Sequence, residues 1–96
     1  GGETPAREIS VDEAAQVALL NGRRVELTAQ EMALLLALMN QPDTPVSREQ
    51  LLREAWGYQS MGETRTVDVH VQRLRKKLGE DWIETVYKCG YRLRLA

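Results

Sequence analysis

Phenylalanine is absent from this 96-residue sequence, and aromatic residues of all kinds make up only 5% of it. The hydrophobic fraction of 43% still allows a small compact core, built mainly from Leu, Val and Ala. A single cysteine, Cys89, excludes an internal disulfide and fits a reducing compartment. A single histidine, His70, leaves a histidine-based metal site or a Ser-His-Asp triad without support. No glycine-rich phosphate loop and no carboxylate cluster of ligand spacing is present, so no catalytic residue, metal or cofactor is expected. No apolar run approaches the roughly 20 residues of a membrane span. The N-terminus lacks the basic-then-apolar pattern of a secretory signal. A soluble cytoplasmic domain with no membrane partner is expected. Gly1 stands where an initiator Met would, and residues 1–6 read as a tail or linker remnant of a longer protein, leaving residues 7–96 as a single domain.

Net charge is −1, which taken alone argues against a polyanionic partner. The distribution is uneven. Residues 1–64 hold 5 Lys and Arg against 10 Asp and Glu, a net of −5. Residues 65–96 hold 8 against 4, a net of +4. A polyanion responds to the patch it docks on, so the basic C-terminal third is the place to look for one.

Along the chain, the stretch 7–28 carries a strand signal. Ile9 and Val11 alternate with polar neighbours, an apolar run ends at Leu20, and Val25 and Leu27 alternate again beyond Asn21-Gly22. Asn-Gly between two such runs is a strong hairpin signal, because both residues tolerate positive φ. Asp12–Gln16 between them reads as a turn or a short helical bend. Thr28-Ala29-Gln30-Glu31 matches a capping box, and Met32, Leu35, Leu36 and Met39 follow at helical spacing until Pro42 approaches. Ser47-Arg48-Glu49-Gln50 matches a second, opening a helix with Leu51, Leu52, Ala55 and Trp56 on its apolar side and Gly57 as its stop. A polar loop, 58–63, leads to a third helix over 64–79. Residues 83–95 read as a hairpin around Lys88-Cys89-Gly90.

The third helix is the most informative. At 100° per residue, Val67, Val71, Leu74 and Leu78 share a narrow arc that must pack on the core. The opposite face holds Arg65, Thr66, Val69, Gln72, Arg73 and Lys76. His70 and Lys77 flank it on one edge, Asp68 and Arg75 on the other. Such a face suits the major groove, where Arg and Lys donate to guanine or phosphate, Gln pairs with adenine and a small apolar group meets a thymine methyl. A solvated basic face is the plain alternative. Thr85, Tyr87, Lys88, Arg92 and Arg94 bring hydroxyls and charge to the hairpin, which then reads as a wing beside the helix or as an ordinary charged edge. A protein-interaction module binding an acidic partner is the rival reading.

Taken together, Thr28-Ala29-Gln30-Glu31, Val46 to Leu52, Trp56-Gly57-Tyr58, Arg65 to His70, Arg73 to Leu78 and Gly90-Tyr91-Arg92-Leu93 resemble the OmpR/PhoB-type effector domain of bacterial response regulators, in register from about Ile9 to Leu95. The resemblance implies an α+β fold: a winged helix-turn-helix with three helices and a C-terminal hairpin wing, preceded by a four-stranded antiparallel sheet. It implies sequence-specific binding of double-stranded DNA and transcription regulation. Carried over by position, Val69 and Arg73 face bases with Asp68 and Gln72 near them. Arg65, Thr66, His70, Arg75 and Lys76 hold phosphates, and Trp56, Thr85 and Tyr91 add backbone contacts. The loop of Tyr58, Gln59, Ser60, Met61, Gly62 and Glu63 matches a segment that in this family touches RNA polymerase. The resemblance further implies an N-terminal receiver domain phosphorylated on an aspartate, and a second copy bound beside the first on tandem half-sites. A membrane sensor in place of the receiver is the other context considered. The wing departs from the family pattern: where an Arg-Gly pair is common, this chain has Tyr87, Lys88 and Cys89, and Lys88 lacks the planar fork of arginine.

Overall fold

In the computed structural model, residues 8–57 and 63–95 are described. Strands β1 (Ile9–Asp12), β2 (Val17–Leu20) and β3 (Arg23–Glu26) form an antiparallel sheet in that order. The β2–β3 turn is the Asn21-Gly22 pair, both at positive φ (50° and 88°), which matches the twist of the flanking strands. Between β1 and β2 the chain makes a turn rather than a helical bend. The Asp12 carboxylate accepts from the Ala15 amide (3.2 Å), and Gln16 adopts φ 54°. The described residues thus hold three strands at this end, where the family resemblance implies four. Residues 13–16 form the β1–β2 turn, and Leu27 bonds back to the Gln16 carbonyl (2.9 Å) and leads directly into a helix cap.

Helix α1 (Ala29–Met39) begins with both halves of its capping box. The Thr28 hydroxyl accepts from the Glu31 amide (3.1 Å), and Glu31 Oε1 accepts from the Thr28 amide (2.8 Å). Its buried side is wider than the Met32, Leu35, Leu36, Met39 stripe. Leu34, Ala37 and Leu38 are buried as well, while Leu36 and Met39 are only half-buried. A helix apolar nearly all round lies inside the domain. Strand β4 (Val46–Ser47) follows, then α2 (Arg48–Trp56), whose cap Ser47 accepts from the Gln50 amide (3.1 Å). Helix α3 (Arg65–Leu78) stops at Gly79, φ 105°. Strands β5 (Ile83–Val86) and β6 (Gly90–Leu93) form the hairpin.

Residues 46–47 carry no readable strand signal, yet β4 pairs with β6 (Val46 opposite Tyr91, Ser47 opposite Gly90), so the wing becomes a three-stranded sheet ordered β4-β6-β5. That close approach requires a glycine: a Cβ at Gly90 would stand 2.0 Å from the Val46 carbonyl oxygen. The core joins Leu34, Leu35 and Leu38 of α1, Leu51 and Leu52 of α2, the inner face of α3, and Trp82, Ile83 and Leu93. Among the described residues no helix is long and apolar enough to cross a membrane.

Candidate nucleic-acid interface

Amphipathicity orients α3. Val67, Val71, Leu74 and Leu78 are all fully buried, so the opposite side is left to solvent. Arg65, Gln72, Arg73 and Lys76 are exposed, and Val69, at 49% exposure, is an apolar residue on that polar surface. Thr66, Asp68, His70 and Arg75 are half-buried along its edges. A notch of about 300 Å³ opens beside the last turns, lined by Gln72, Arg75, Lys76, Gly79 and Glu80.

His70 is held on two sides. Its Nδ1 lies 2.8 Å from the Thr66 carbonyl, an acceptor only, so Nδ1 carries the proton and donates. The imidazole also packs against the Trp56 ring, centroids 5.0 Å apart at 77°. This joins the end of α2 to α3 and places two expected phosphate contacts side by side.

Asp68 is engaged from two elements. Its Oδ1 accepts from Arg48 Nε of α2 (2.7 Å) and from the Tyr91 hydroxyl of β6 (2.5 Å). Burial by itself would raise the Asp68 pKa, but the Tyr91 and Arg48 bonds outweigh it and hold the carboxyl below its usual range. Burial and the Asp68 carboxylate together push the Tyr91 phenol up. The Asp68 bond raises Arg48. The Arg48 and Arg75 guanidiniums lie 5.0 and 5.8 Å from the centre of the Tyr91 ring, in the range of cation–π attraction. Arg75 in turn donates to the Thr85 hydroxyl of β5 (2.8 Å). Thr85 accepts there and keeps its own proton to give. Tyr91, expected to reach the DNA backbone, is only 3% exposed, with its proton committed to Asp68.

Several basic residues of the C-terminal third are paired with carboxylates of the same chain. Lys77 of α3 donates to Glu31 Oε1 (2.6 Å), the carboxylate that also caps α1. Burial would raise Glu31, but Lys77 and the Thr28 bonds bring it below its ordinary value. Arg92 and Arg94 both face Glu84, at 2.7 and 3.6 Å. At the wing tip Tyr87 is 85% exposed, Lys88 sits at φ 60° with its ammonium 5.5 Å from the Tyr87 ring, and Cys89 is exposed. Of the loop expected to contact polymerase, Tyr58, Gln59, Ser60, Met61 and Gly62 lie outside the described residues, and Glu63 is exposed.

Arg48, Glu31 and Arg23 were not anticipated as supports of α3. Arg23 Nη2 of β3 donates to the Leu78 carbonyl (2.8 Å), satisfying one of the orphan acceptors at the helix end. Their partners lie 20, 46 and 55 residues away, beyond any local pattern.

Comparison with known proteins gives a consistent result. The profile of the family described as "Transcriptional regulatory protein, C terminal" matches residues 22–93. The transcriptional regulatory protein CseB of Streptomyces coelicolor is 47% identical over 94 residues, covering 98% of this chain and 40% of that protein. The chain therefore spans about two fifths of that relative's length. The crystal structure of the DNA-binding domain of Bacillus subtilis CssR superposes with a TM-score of 0.75 at 39% identity, covering 90% of this chain and 99% of that one. The response regulator AdeR DNA-binding domain, solved in complex with an intercistronic region, gives a TM-score of 0.78 at 27% identity, with 97% and 100% covered. With three helices, antiparallel sheets and a C-terminal hairpin arranged as in these winged-helix domains, the chain belongs to the family of transcriptional regulatory protein C-terminal domains.

Proposed function

We propose that the chain binds double-stranded DNA sequence-specifically, as the effector end of a two-component response regulator that controls transcription in the cytoplasm. The observation that carries this is the composition of the solvent face of α3. Four exposed polar or basic side chains surround an exposed Val69, while the acidic residue of that helix, Asp68, is matched by Arg48 and Tyr91 and offers phosphates no free charge. In this reading α3 lies in the major groove. Arg73 and Val69 meet base edges, with Gln72 beside them. Arg65, Thr66, His70, Arg75, Lys76, Trp56 and Thr85 hold phosphates, with Lys88 at the wing. Tandem half-sites for two copies, a receiver domain and an RNA polymerase contact through residues 58–63 complete the proposed context.

The test is an equilibrium titration against a site selected from a random duplex pool and against a scrambled duplex, at several salt concentrations. Arg73→Ala should lose about 1–3 kcal/mol on the selected site and less on the scrambled one. Lys76→Ala should weaken both duplexes alike. No binding of the unaltered chain at low salt would defeat the proposal.

A further inference from the structure

We propose that Asp68 and Tyr91 are positioning residues for base recognition: they lock the wing onto α3 and so set the helix's aim, without touching DNA themselves. The inference rests on the DNA-binding reading and adds to it a source of specificity lying behind the contact surface.

The geometry is that of one small hub. A single carboxylate oxygen, Asp68 Oδ1, accepts from Arg48 at the start of α2 and from Tyr91 in β6. The Tyr91 ring is flanked by the guanidiniums of Arg48 and of Arg75, and Arg75 reaches the Thr85 hydroxyl of β5. Asp68 and Arg75 are seven residues apart, two helical turns, so they project from the same side of α3, toward the wing. Val69 and Arg73 are four apart and share the outward side. The wing is fixed at its base as well, because Val46 pairs with Tyr91 and Ser47 with Gly90. Tyr91 is thus built into the sheet, buried, and bonded to the helix through its only polar atom.

The consequence follows from the different tolerances of the two kinds of DNA contact. Base recognition by Arg73 requires the planar fork to meet two acceptors in one orientation, whereas flexible side chains follow phosphates through small tilts of the helix. Loosening the hub therefore costs specific binding more than random binding. A direct phosphate contact by the Tyr91 hydroxyl makes the opposite prediction, an equal loss on every sequence.

Tyr91→Phe is the decisive variant. It removes the hydroxyl, keeps the ring beside both guanidiniums and fills the same space. Using the 96-residue chain, dissociation constants are measured for the selected and scrambled duplexes, with circular dichroism and the melting temperature as checks on folding. The expected result is a folded protein whose affinity for the selected site falls about tenfold, as for a partly lost bidentate base contact, while its affinity for the scrambled duplex changes by less than about twofold. Unchanged affinity for the selected site, or an equal loss on both duplexes, overturns the proposal. Should Tyr91→Phe fail to fold, Asp68→Asn is read by the same criteria. The unaltered chain run beside them separates this proposal from the DNA-binding reading, since failure of that reading is failure of the unaltered chain to bind.

Discussion

His70 of α3 stands edge to face with Trp56 of α2, their ring centroids 5.0 Å apart, and turns its Nδ1–H to the Thr66 carbonyl. The ring is thus fixed at the junction of the two helices, where the DNA-binding reading places a phosphate. His70→Ala should weaken binding of the selected and the scrambled duplex alike in an equilibrium titration. Unchanged affinity for both would place the phosphate contact elsewhere.

Acid stability should be set in part by Glu31 and Asp68. Each carboxyl is held below its ordinary value in the folded state (4.5 for Glu31, 3.8 for Asp68), so the folded state binds their protons less readily than the unfolded chain. Their stabilisation is fully present above those values and is lost as pH falls through them towards the lowered ones. Chemical denaturation between pH 7 and 3 should show stability falling most steeply below about pH 4.5. Glu31→Gln, which keeps an acceptor for the Thr28 amide, should flatten that limb and cost about 1–2 kcal/mol at neutral pH, through the lost partner of Lys77. An unaltered acid limb would remove Glu31 from the account.

Gly90 should tolerate no side chain. A Cβ there would meet the Val46 carbonyl oxygen at 2.0 Å, and the contact is with backbone, which has nowhere to go while β4 and β6 stay paired. Gly90→Ala should destabilise the domain by about 4 kcal/mol or more, read from thermal unfolding. Gly22→Ala at the β2–β3 turn meets nothing within 4 Å and carries only the strain of its positive φ, so its cost should stay near 1 kcal/mol. Similar losses in the two variants would refute the steric account.

What the sequence made legible was local. The Thr28 box, the Ser47 cap, the Asn21-Gly22 turn and the Gly57 stop each depend on residues within four positions of one another, and each appears where expected. The inner face of α3 was legible because one stripe of branched residues repeats at 3.6. Strand β4 was hidden, since two residues have no period. Leu34, Ala37 and Leu38 were hidden because a helix buried nearly all round shows little contrast between its sides. Within the candidate site, the exposed group Arg65, Val69, Gln72, Arg73 and Lys76 could be projected from helix geometry alone. The pairing of Lys77, Arg92 and Tyr91 could not, because each is decided by a partner on another element.

The bond from Arg23 to the Leu78 carbonyl gives α3 the mechanics of a beam rather than a cantilever. One support, at Asp68, belongs to the wing sheet. The other, at Leu78, belongs to the N-terminal sheet. Ten residues separate them, about 15 Å along the axis, so a slack of about 0.5 Å at either end turns the helix by only about 2°. Arg73 stands midway along that span, where a displacement at either end is halved.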